Sequence, residues 1–187
     1  MVKTTGHSGR PRLAAARWPG AGIAASYAAG LAAFAHAIMD LYWGLGGHAL
    51  LSTVGGYPER LARQGGVLPV LLALSASAAQ LLAGLLPLAL VRPWGRVIPR
   101  VLLVLGSAAA SALLVLYGGA LVLAGTLVLT GAIHPSGGVD RTAMRWHTGV
   151  WDMWFLVWGI LLALASAGYW RRTARAATNS DAPPGAS

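Results

Sequence analysis

The sequence predicts an all-α polytopic membrane protein, a bundle of four transmembrane helices with both termini on the cytoplasmic side. Three observations carry this. Of 187 residues, 56% are hydrophobic and only 10% charged, against roughly a quarter charged in an ordinary soluble domain. Four apolar windows, at about residues 22–43, 67–91, 101–130 and 148–169, are long enough to cross a bilayer, whose ~30 Å core needs roughly 20 helical residues. The basic residues are distributed unevenly about those windows.

Each window should be helical, because lipid offers no partner for free backbone N–H and C=O groups. The Leu/Ala/Val runs lack the two-residue alternation of a barrel strand. The first window follows a basic segment, as in a signal peptide, but it is too long and carries His36 and Asp40 near its far end, so it reads as a retained span. The third window exceeds a simple span and should tilt or protrude. Placing the N-terminus, the Arg92–Arg100 connection and the C-terminus in the cytoplasm puts ten of the 14 basic residues there. Four, Arg60, Arg63, Arg141 and Arg145, then lie on the opposite side, a positive-inside bias.

The +9 net charge is thus a topology signal and an attraction to anionic lipid. Nucleic-acid binding is the weaker reading, since the charges are split among separate loops. The absence of cysteine excludes disulfides and thiolate chemistry.

Residues 1–20 and 171–187 read as basic, polar and disordered flanks around a 21–170 membrane domain. Arg92-Pro93-Trp94-Gly95-Arg96 reads as a tight turn joining helices two and three into a hairpin. The outer connections, 46–66 and 131–147, are longer, rich in Gly and suited to capping a pocket. No internal or inverted repeat is evident, which weakens a transporter reading.

Function is sought among polar groups that a membrane would exclude. Of five acidic residues, Asp40 and Asp152 fall within apolar windows. Both lie on the order of 5–8 Å below the outer boundary at 1.5 Å per residue, where they could share one outward cavity. His36, Asp40 and Trp43 recur at helical spacing and share a face, with Tyr42 beside them. On the fourth helix His147, Trp151, Trp154 and Trp158 form a stripe, with Asp152 and Phe155 beside it. Gln80 is the one amide deep in the second helix, and Tyr117 offers a hydroxyl from the third.

A structural reading competes at every position. Trp and Tyr belts anchor helices at interfaces, His36–Asp40 is a local pair, and Arg145 is a potential partner for Asp152. Gln80 reads as interhelical glue before it reads as a catalytic group, and Ala108-Ala-Ala-Ser111 permits close helix packing. The functional reading is acid-initiated carbocation chemistry on a polyprenyl or prenylated substrate, with no metal or other cofactor. Asp152 would act as general acid and Asp40 as its partner or terminal base. His36 and His147 would tune both, and Trp43, Tyr42, Trp151, Trp154, Phe155, Trp158, Gln80 and Tyr117 would line the substrate cavity. Indole faces stabilise cations. The alternatives are a metal or haem site built from His36, Asp40, His147 and Asp152, and a proton-coupled transporter or accessory subunit. The last would need to oligomerise to enclose a pathway.

The string RWHxxVWDxWFLxWG at Arg145–Gly159, with HxxxDLYWGLGG at His36–Gly47, resembles a bacterial family of small four-helix membrane proteins of undefined function. The resemblance runs from about Ala21 to Trp170 and implies the fold and a bacterial inner-membrane location, but no activity. A looser similarity, carried by Asp40, Asp152 and their aromatic neighbours, is to the integral-membrane terpene cyclases. It implies an acidic group near the membrane boundary that protonates an alkene or epoxide, although the helix count and motifs depart from that group and Asp stands in place of Glu.

Overall fold

The computed structural model describes residues 18–136 and 138–180. The disorder expected of residues 1–17 and 181–187 lies outside the described residues. Among those described there are helices and turns but no strand.

Four helices are long and apolar enough to cross a membrane: α1 (Trp18–Gly44), α3 (Val67–Ala89), α4 (Arg100–Leu129) and α6 (Asp152–Ser180). Two short helices interrupt the outer connections, which the sequence suggested were loops. They are α2 (Gly56–Gln64) and α5 (Arg141–Trp146). Each has a local cause. In α2, Pro58 falls in the first turn, where no N–H is required, and Glu59 pairs with Arg63 one turn later at 2.7 Å. In α5 the Asp140 carboxylate caps the helix by accepting from the Thr142 and Ala143 amides. The expected tight turn at residues 92–96 is a 3-10 turn over Pro93–Val97.

With 30 residues, α4 is about 45 Å long at 1.5 Å per residue, longer than the ~30 Å apolar core of a bilayer. The fourth helix runs on to Ser180, so helical geometry continues past Thr173, where the sequence suggested an unstructured tail.

The packing order differs from the chain order. Helices α1 and α6 are central and antiparallel, α3 packs on α1, and α4 packs on α6. Although a short connection joins them, α3 and α4 scarcely touch, so the hairpin expected there is a covalent link between opposite edges of the bundle. The cause lies in side-chain size. Ala25, Ala29, Ala33 and Ala37 form a buried seam along α1 at four-residue spacing, which lets neighbours approach on more than one side. A side chain at Gly22 would meet the Gly168 backbone of α6. The large side chains of α3 and α4, among them Leu71, Leu82, Leu102, Leu113 and Leu116, are exposed and face where lipid would lie.

Hydroxyls stitch these interfaces. Ser107 and Ser166 share a hydrogen bond of 2.8 Å, Ser111 donates to the Gly159 carbonyl, and Ser77 donates to the Ala37 carbonyl. In the Ala108–Ser111 patch, Ser111 is the buried member, together with Ser107 one turn earlier, while Ala108 and Ala109 are exposed. Such bonds contribute about 0.6 kcal/mol each in membrane proteins. At the end opposite the long connections, Arg172 donates to the Leu90 carbonyl and Arg92 lies over the Tyr27 ring.

Candidate functional site

The antiparallel pairing of α1 with α6 brings the last turns of α1 beside the first turns of α6. His36, Asp40, His147 and Asp152 therefore gather at one end of the bundle, under the 45–66 connection.

Asp40 belongs to a three-residue unit spanning α1 and α3. The Gln80 side-chain amide donates to Asp40 Oδ2 at 2.7 Å, and its Oε1 lies 3.2 Å from His36 Nδ1. The amide oxygen only accepts, so His36 Nδ1 carries hydrogen in this network. The same Nδ1 lies 3.6 Å from Asp40 Oδ2. The hydrogen bond that Oδ2 accepts is therefore the one from Gln80. Gln80 thus bridges His36 and Asp40.

Asp152 belongs to a second unit, and a local irregularity of the backbone creates it. Residues His147–Trp151 form a π turn, in which the Asp152 N–H bonds to the His147 carbonyl five residues back. In an α-helix residues five apart point about 140° away from each other. The π turn overlays them, and His147 Nδ1 lies 3.3 Å from Asp152 Oδ1. Single π turns of this kind are frequent at functional sites. The expected alternative partner, Arg145, makes no ion pair with Asp152.

The other nitrogen, His147 Nε2, lies 2.7 Å from the Val54 carbonyl. A carbonyl only accepts, so Nε2 bears a hydrogen. The contact to Asp152 then needs one further proton, on Nδ1 as an imidazolium or on the carboxyl as a neutral acid. His147 is thus engaged at both ring nitrogens, by the Val54 carbonyl and by an Asp152 that is only 8% exposed.

The two units do not merge into one cavity flanked by both carboxylates. Trp151 joins them: its ring packs edge-on against His36 and Trp43, and its N–H donates to Thr53. Asp40 opens onto a cavity of about 240 Å³ whose other walls include Trp43, Leu51, Val54, Leu61 and Leu72. Asp152 is not among its lining residues. Val54 touches both units, lining the cavity while its carbonyl is held by His147. The α2 lid above is bracketed by Gly55–Gly56 and Gly65–Gly66, all with positive φ, a backbone region that glycine enters without steric cost.

Most of the aromatic residues expected to line a substrate cavity serve other purposes. Trp151, Trp154 and Phe155 enclose the buried His36 ring, and the Trp154 N–H donates to the Ala32 carbonyl. Trp158 is 2% exposed inside a core cluster with Ala29, Ala33, Leu114 and Leu162, and its indole N–H lacks a partner. Tyr42 accepts from the Ala49 amide, and Trp43 donates to the Ala49 carbonyl, so both clamp the turn after α1. Tyr117 is 53% exposed on the outer surface, edge-on to Phe155. Of the expected lining set, Trp43 alone reaches the Asp40 cavity.

Sequence reading missed Leu51, Thr53 and Val54, which close the site from the outer connection. Their only signal was a short apolar run within a Gly-rich segment. The metal reading drew on His36, Asp40, His147 and Asp152 together, and the haem reading on the histidines of two helices. The structure divides them into two pairs, and among the described residues no group of three or more His, Asp or Glu side chains is placed to hold a metal.

Deleting Gly149 tests the π turn. Its removal returns the segment to α-helical register and rotates everything N-terminal to it by about 100° relative to α6. The expected result is a protein that still inserts and folds, but whose His147 ring no longer reports contact with Asp152 in its NMR titration. An unchanged titration would show that the π turn does not position the pair.

Fold and site together define an integral-membrane helical bundle with paired His–Asp groups at one end of its two central helices. Within that class the chain belongs to the family described as Protein of unknown function (DUF3995), whose model matches residues 33–162. The match runs through His36, Gln80, His147 and Asp152 alike. Curated proteins and solved structures give no match, and the looser likeness to terpene cyclases finds no support in these comparisons.

Proposed function

We propose that this protein is an integral membrane enzyme of proton-initiated chemistry on a lipophilic substrate, in its specific form a cyclase of a polyprenyl chain or its epoxide. The observation supporting this is the different hydrogen bonding of the two carboxyl groups. Asp152 is held by a histidine whose other nitrogen is engaged by the Val54 carbonyl, whereas Asp40 Oδ2 accepts from the Gln80 amide. Asp40 also faces an apolar cavity.

In the reaction, the proton of the His147–Asp152 pair passes to an alkene carbon or an epoxide oxygen, and the carbon left electron-poor is attacked by a second alkene of the same chain. Asp40 removes a proton next to the final cation, which closes the new alkene. The product is an isomer of the substrate, and one proton enters as one leaves. Cavity and acid come together when the Leu51–Val54 turn shifts, a motion that the paired glycines around α2 permit.

The basic-residue distribution supports a cytoplasmic location for both termini, which puts the site at the outer face of a bacterial cell membrane. The substrate then arrives from the surrounding lipid. A proton-relay subunit of a transporter is the second reading, supported by the same His147–Asp152 pair; proton flux in vesicles separates it from the first.

The test is product analysis. Membranes carrying the protein receive linear and epoxidised prenyl substrates, and extracts are compared by mass spectrometry with membranes lacking it. The expected result is a new compound of unchanged mass. Absence of conversion by folded protein across both substrate series overturns the cyclase reading.

A further inference from the structure

We infer that the Asp40 cavity is a binding site for lipophilic ammonium ions, amines or quaternary ammonium groups attached to an alkyl chain. The inference rests in part on the reading above, since a site that steadies a carbocation should also accept a stable cation of similar shape.

Charge supports it first. Asp40 Oδ2 accepts from Gln80, and among the described residues its ion-pair partner is His36 alone. That contact is 3.6 Å long, and the His36 Nδ1 is hydrogen-bonded to Gln80 instead. No Lys or Arg lines the cavity, and Arg60 and Arg63 of α2 are not among its walls. The remaining oxygen, Oδ1, has no hydrogen-bond partner within the described residues, so the anion is satisfied on one side only.

The rest of the wall supplies what a hydrophobic cation requires. Trp43 lines the cavity close to Asp40, and its N–H is engaged by the Ala49 carbonyl, which fixes the ring in place. An indole ring and a carboxylate among apolar walls are complementary to a quaternary ammonium group. Leu51, Leu61, Leu72 and Ala76 provide apolar surface for the attached chain. About 240 Å³ takes the head and the first methylenes, leaving the remainder of the chain for the lipid between α1 and α3. A neutral ligand of equal shape has the same apolar contacts but forgoes the attraction to Asp40, and an anionic one is repelled.

Full-length protein in zwitterionic-lipid nanodiscs is titrated with decyltrimethylammonium and, separately, with 2,2-dimethyldodecane, its neutral carbon isostere. Empty nanodiscs serve as the baseline. Saturable uptake above that baseline is expected for the ammonium ion alone. Asp40→Asn should weaken it at least about tenfold, and Trp43→Leu several-fold, while Asp40→Glu retains it. Saturable uptake of both probes alike by the wild type, or of neither, overturns the inference without reference to any variant. Undiminished uptake by folded Asp40→Asn does so as well. The two readings fail separately: ammonium uptake without prenyl turnover removes the cyclase and keeps the site, and turnover without uptake does the reverse.

Discussion

Replacing Asp152 with Asn should reduce prenyl conversion by about 10²- to 10⁴-fold, the range that a positioned general acid contributes. The variant is chosen because it preserves shape. An asparagine amide still donates to His147 Nδ1, so the 3.3 Å contact and the π turn beneath it persist. The change removes the carboxyl group from the pair. His147 keeps its Nε2–H on the Val54 carbonyl, and its Nδ1 now accepts, so no labile proton is left in the pair.

Circular dichroism and thermal unfolding should be close to wild type, which isolates the chemical loss from a folding loss. Asp40→Asn should give a comparable loss by removing the terminal base. Unchanged product yield in Asp152→Asn would remove that residue from the mechanism, and unchanged yield in both would remove the mechanism itself.

The second large effect is structural. Gly118→Ile should lower the melting temperature by on the order of 5–10 °C and sharply reduce the yield of folded protein. A Cβ at Gly118 would stand 2.5 Å from the Leu156 amide nitrogen and 2.9 Å from the Asp152 carbonyl. Both obstacles are backbone, so no side-chain rotation relieves them and α4 must move away from α6. Overpacking of this kind costs about 1–3 kcal/mol or more, and each kcal/mol shifts the midpoint by about 2–4 °C in a chain of this size.

The neighbouring Gly119 offers the control. A Cβ there meets only the end of the Leu156 side chain at 3.8 Å, so Gly119→Ile should be tolerated. Equal stability of the two variants would show that α4 and α6 do not approach as closely as described.

Parts of the site were legible in the sequence because they obey local geometry. His36 and Asp40 are four residues apart on a helix, and the structure places them together. The role of Gln80 as interhelical glue was also visible in a lone amide within an apolar run, but its two partners, on a helix some 40 residues away, were not. The His147–Asp152 pair was hidden for a different reason. Five-residue spacing is unfavourable in an α-helix, and nothing in the HTGVW segment announces a π turn. The aromatic stripe was visible in the sequence, but the π turn breaks its α-helical spacing between His147 and Trp151. Trp151, Trp154 and Phe155 pack on a histidine of α1, a consequence of which helix lies next to α6.

The sequence by itself determined that this chain carries four membrane-spanning helices, because hydropathy is a sum over neighbouring residues and lipid leaves the backbone no alternative to helix. It also determined the family, through strings within the first and fourth spans. Tertiary structure alone decided that α1 and α6 form the centre, that α3 and α4 stand apart despite their short link, and that two carboxylates serve two different units. Those outcomes depend on which small residues permit backbones to meet and on hydrogen bonds between residues up to 122 positions apart. In lipid the apolar surfaces of all four helices are equivalent to the solvent, so small-residue contacts and polar partners choose the arrangement, and neither is encoded in the hydropathy of any one span.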